Sequence, residues 1–191
     1  MSFWLFSISV IPSITLSLLG MSFSDYFMPL AYVSAVLMGA GLVSFIRAIS
    51  SQINSFPGLK NRWLRLFLMV FLVSFVLKTT LQCLSVLDIF KDYAFHNRFI
   101  IIAYMHLSLI GSISFLFIAL MIDKKWLKTN RWMKLGSMLL FLGFLVTESI
   151  LTLTGLGLFY NGEILLAGSA AMASGILVLT LIPGEKNDST T

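Results

Sequence analysis

WLRLFLMVFLVSFVLKTTLQCLSVL, residues 63–87, decides the fold. Wound as a helix at about 1.5 Å per residue, a run of this length exceeds the roughly 30 Å hydrocarbon core of a bilayer. Arg65 sits at its start, so the charge deep within it is Lys78. A charge at membrane depth costs roughly 2.5 to 3.5 kcal/mol on insertion scales. Lys78 is therefore expected to be paired, to face water or to handle a ligand.

Working outward, five more runs have the same character: Phe3 to Met21, Pro29 to Ser50, Arg98 to Ile122, Met133 to Phe159 and Ile164 to Ile182. The chain is 58% hydrophobic and 11% charged over 191 residues, where a soluble domain averages about 25% charged. The connections are too short to hold a soluble domain. The expected architecture is all-α, an integral membrane bundle of six transmembrane helices in a single domain, residues 1–184. A polar tail, residues 185–191, is expected to be disordered.

The net charge of +5 invites a nucleic-acid reading, and its distribution argues against one. Arg47, Lys60, Arg62 and Arg65 surround the second connection, and Lys124, Lys125, Lys128, Arg131 and Lys134 fill the fourth. The alternate connections carry Asp25, the mixed set Asp88, Lys91 and Asp92, and Glu163. By the positive-inside rule the basic connections are cytoplasmic, and so are both termini. Trp63, Trp126 and Trp132 lie beside the basic clusters as interfacial anchors should.

The first run carries Pro12 and has no basic residue before it. A cleaved signal peptide is its rival reading, but it lacks a positive n-region and an Ala-x-Ala cleavage site. The chain is alternatively the latter part of a longer protein. Cys83, the single cysteine, has no partner for an internal disulfide. Small residues recur every fourth position as Ala31, Ala35, Gly39 and as Ala167, Ala171, Gly175, a spacing that lets helices approach closely in lipid. Packing within the bundle and a homodimer interface both accommodate them. Ser24 or Asp25, with Pro29 in the first turn, is expected to cap the second run, Asn97 the fourth and Asn130 the fifth.

Depth picks out the candidate site. Lys78, His106 and Glu148 each lie about eight to ten residues from the outer end of their runs, which places all three roughly 12 to 15 Å below the outer surface. Ser74, Lys78, Gln82 and Ser85 share one helical face, and Thr152 and Gly155 continue the face of Glu148. The binding layer is thus expected to be Lys78, Gln82, His106 and Glu148, with Lys78 and Glu148 as a buried ion pair or a ligand or proton site. His106 reads as a core histidine bonded to backbone or to Glu148, or as a haem or metal ligand. His96, in the outer loop, reads as solvated. There is no His-x-x-x-His, no cysteine pair and no glycine-rich phosphate loop. A metal hydrolase or nucleotide-driven enzyme has no motif to stand on.

KTTLQCLSVL (78–87), FIIIAYMHLSLIGSISFLFIAL (99–120) and LGFLVTESILTLTGLGL (142–158) together carry a resemblance. The chain resembles, over roughly residues 60 to 182, the later half of uncharacterised bacterial multi-pass membrane proteins loosely similar to the haem-copper oxidase subunit I and NnrS-like superfamily. Tyr104 to Leu107, Tyr-x-His-Leu, is the most specific element. The resemblance implies a bacterial inner-membrane protein in which His106 faces inward and ligates haem or metal. Members that hold both haem and copper use several intramembrane histidines, and this chain has one in its runs. The functional expectation is a non-enzymatic, haem- or metal-associated respiratory-type protein. A small proton-coupled transporter and a structural subunit are the alternatives. The expected partners are the bilayer, other membrane subunits or a second copy, and no nucleic acid.

Overall fold

The structure, a computed structural model, describes residues 4, 24–52, 61–87, 89–90, 97–127 and 130–181, with side chains of the first helix from Met28 onward. Apart from Trp4, the run Phe3 to Met21 lies outside the described residues, as do Lys60, Asp88, Lys91, Asp92, His96, Lys128 and the tail 185–191. Five helices form: α1 Ser24–Gln52, α2 Arg62–Leu84, α3 Arg98–Asp123, α4 Arg131–Gly155 and α5 Gly162–Thr180. All five are long and apolar enough to cross a membrane, and no strand occurs among the described residues. The described chain is an all-helical, membrane-embedded protein.

Helix starts follow local chemistry. Asn97 Oδ1 accepts from the Phe99 N–H at 3.1 Å and Asn130 Oδ1 from the Met133 N–H at 2.7 Å, each satisfying a donor that the first turn leaves over. Asn61 and Asn161 cap α2 and α5 in the same way. α1 begins at Ser24, so Pro29 lies inside it, beyond the first turn. Two helix ends close alike. Gly157 at φ 72° follows α4, with the Gly157 N–H donating to Thr154 O and the Leu158 N–H to Leu153 O. Lys125 at φ 58° follows α3, with its N–H donating to Ile122 O and that of Trp126 to Met121 O. Both are Schellman closures, and at Lys125 a side chain other than glycine takes the left-handed position.

Each helix packs chiefly on its neighbours in sequence, so the described helices form a serial up-and-down array. α4 and α5 make the most extensive contact, through small residues. A Cβ at Gly143 would sit 2.7 Å from Gly168 O, and one at Gly136 2.9 Å from Gly175 O. Backbones approach this closely where lipid removes the usual hydrophobic drive. Gly175 of the small-residue repeat is buried there, whereas Ala167 is exposed and Gly168 takes the inner place. In the other repeat Ala31 and Ala35 pack towards α2, and Gly39 has open space around its Cβ position.

α3 departs from regular winding. Leu107–Ser114 is a π segment between two α-helical stretches, with the Ser112 and Ser114 hydroxyls donating to the carbonyls of Leu107 and Leu109 five residues back. The wider turn brings His106 and Gly111, five residues apart, towards the same side. Regular α spacing would have put them on different sides.

Candidate functional site

Gly111 is where three helices meet. A Cβ there would lie 2.6 Å from Ser74 Oγ on α2 and 2.9 Å from Phe144 Cζ on α4. One turn along each helix, away from the basic connections, stand Lys78 on α2, His106 on α3 and Glu148 on α4. The three expected residues thus share a layer, and α3 touches both of the other two helices.

Glu148 meets His106. Its Oε1 lies 3.9 Å from His106 Nδ1, both atoms are buried, and neither has a hydrogen-bond partner. That separation is about 1 Å too long for a hydrogen bond and short enough to close by a small side-chain movement. The His106 side chain is 32% exposed although Nδ1 is buried, so its accessible edge is the rest of the ring. The Glu148 side chain is 16% exposed.

The other side of α3 carries a second polar group. Tyr104, two residues before His106, points the opposite way and donates its hydroxyl to Gln82 Oε1 at 3.2 Å. Ser74 touches α3 one turn below Lys78, and Gln82 touches it one turn above. Lys78 is half-buried and lies between these two contacts along α2. It makes no ion pair or hydrogen bond among the described residues, and the Gln82 amide N–H groups donate to no described residue.

Towards the basic connections the layer is closed by aromatic rings. Phe67 stacks on Phe115 at 5.7 Å, and Phe144 and Phe141 meet Phe115 edge-on at 5.4 and 6.4 Å. Phe67 and Phe115 are fully buried. The Gly155 carbonyl, at the far end of α4, accepts from Asn97 Nδ2 at 2.6 Å and ties α3 to α4 above the site.

His106 and Glu148 come together; the Lys78–Glu148 ion pair does not form among the described residues. The sequence places Gln82 in the layer and leaves its partner Tyr104 out of it. Its signal was present: two residues along a helix point to opposite sides, so one polar group on each side of α3 implies two polar neighbours. Among the described residues no three of His, Cys, Asp and Glu come within reach of one metal ion. Comparison with family models, curated proteins and solved structures finds no match to this chain.

Proposed function

We propose that the protein is a non-enzymatic, small proton-coupled carrier of a bacterial cytoplasmic membrane, with six spans and both termini cytoplasmic. The observation that carries this reading is the pair His106 Nδ1 and Glu148 Oε1, buried, 3.9 Å apart and bonded to nothing else. An imidazole and a carboxyl facing each other share a proton on approach, and histidine exchanges protons near physiological pH. Phe67 and Phe115, fully buried beneath the pair, suit a carrier better than an open channel. Infrared difference spectra of the purified protein between about pH 5 and about pH 8, the range of histidine chemistry, test it. A carboxyl band that changes with pH should vanish in Glu148→Gln and shift in His106→Ala. Spectra identical in parent and Glu148→Gln would overturn the reading.

A second reading has one observation in its favour. A metal-bound histidine usually turns its other ring nitrogen towards a carboxylate or carbonyl, and His106 turns Nδ1 towards Glu148 while its remaining edge is accessible. His106 would hold haem iron through its accessible ring nitrogen, in line with the oxidase-like resemblance. When bound, such a haem supplies one-electron chemistry. Met105 is 49% exposed and points away from this side, so it offers no second ligand there. Protein from haem-replete cells should show a Soret band that His106→Ala abolishes and His96→Ala leaves intact; no band would sink the haem reading.

A further inference from the structure

Lys78 and Gln82 are one turn apart on the face of α2 that α3 covers, and they present only donors to the space between. The Gln82 carbonyl is already engaged by Tyr104, which leaves its amide N–H groups to donate. The Lys78 ammonium has three donors and no described acceptor. The Lys78 ammonium and the Gln82 amide lie one turn apart inside a span with no acceptor bonded to them among the described residues, a setting that favours an anion.

We propose that this interface binds the carboxylate of a small, singly charged organic acid, with one oxygen on Lys78 Nζ and the other on the Gln82 amide. The proposal rests on the carrier reading and names its cargo. One ammonium neutralises one negative charge, which suits a monoanion better than a phosphate dianion. Size is limited as well. The contacts at Ser74–Gly111 and at Gln82–Tyr104 close the interface over eight residues of α2, about 12 Å of helix. A short-chain acid fits that length. The proton that makes transport neutral is taken by His106 and Glu148, so acid anion and proton occupy separate places at one depth.

The test is equilibrium binding of radiolabelled propionate to the purified full chain in lipid nanodiscs. The parent should bind saturably, and neither nitrate nor phosphate should displace the label at equal concentration. Lys78→Met should weaken binding at least about tenfold, as expected when a charge-assisted hydrogen bond is removed. Gln82→Leu should weaken it severalfold, and Tyr104→Phe less, because Gln82 stays in place without its anchor. Gly39→Ala, which has open space at its Cβ, should leave propionate binding within about twofold of the parent. Absence of saturable binding would overturn the proposal. So would Lys78→Met and Gln82→Leu binding like the parent, or displacement by phosphate or nitrate. If Lys78→Met does not fold, Gln82→Leu decides. Propionate binding without any Glu148-dependent infrared change removes the carrier reading and leaves the acid site standing. The reverse result removes the acid site alone.

Discussion

The pairing of Glu148 with His106 rather than with Lys78 can be measured by two double-mutant cycles that share one residue. The perturbations are Glu148→Gln, His106→Phe and Lys78→Met, singly and as the two pairs that include Glu148. Two opposite unit charges 3.9 Å apart attract by about 4 kcal/mol at an effective dielectric constant near 20. A neutral hydrogen bond between membrane helices is worth about 0.6 kcal/mol on average and about 1.7 at most. His106 and Glu148 are slightly too far apart for a formed bond, and His106 is about one-third exposed. We therefore expect a coupling of about 1 to 2 kcal/mol, between these limits. For Lys78 and Glu148, which form no ion pair among the described residues, the coupling should fall within the error of additivity, about 0.3 to 0.5 kcal/mol. Reversible unfolding in mixed detergent micelles, followed by tryptophan fluorescence, gives the free energies. A coupling above about 2 kcal/mol for Lys78 and Glu148, with none for His106 and Glu148, would refute the pairing of Glu148 with His106.

Gly143→Ala should destabilise by about 1 to 3 kcal/mol, because the added Cβ meets Gly168 O at 2.7 Å and the Met172 amide nitrogen at 2.8 Å. Gly39→Ala, with open space at its Cβ, should cost nothing in the same unfolding assay. Lys125→Gly should stabilise by roughly 1 kcal/mol, since it relieves a left-handed conformation that costs about 1 to 2 kcal/mol for a residue with a side chain; a loss would mean the lysine side chain outweighs the strain. Reporter fusions after Lys125 and after Pro183 should read cytoplasmic and one after Asp92 external, and a cytoplasmic signal at Asp92 would reverse the orientation.

Hydropathy made the five described spans legible because a bilayer imposes its thickness on any helix that crosses it, whatever that helix packs against. The Arg98 to Ile122 run matches α3 to within one residue for this reason. Asn97 and Asn130 were readable as caps because an amide that binds its own helix start acts locally. The shared depth of Lys78, His106 and Glu148 was readable from counting alone. What each of them faces was not. Which side of α3 a residue occupies depends on winding, and nothing in LSLIGSIS announces a π segment in place of an α turn. The buried ion pair was a plausible match of depth and charge, but depth leaves open which neighbour each side chain faces.

Serial packing has a consequence for how the chain enters the membrane. Lys78 and Gln82 lie one turn apart on α2, and Gln82 meets α3 through Tyr104. An α2 released alone into lipid would turn an ammonium and an amide towards hydrocarbon until its successor emerged. Insertion of α2 and α3 as a hairpin avoids that exposure, and the Tyr104–Gln82 bond would be among the first tertiary contacts made. α4 then meets a surface already built by α3, and α5 a surface already built by α4. Among the described helices the order of synthesis is thus also the order of assembly, and none must wait in lipid for a principal partner later in the chain than its next neighbour.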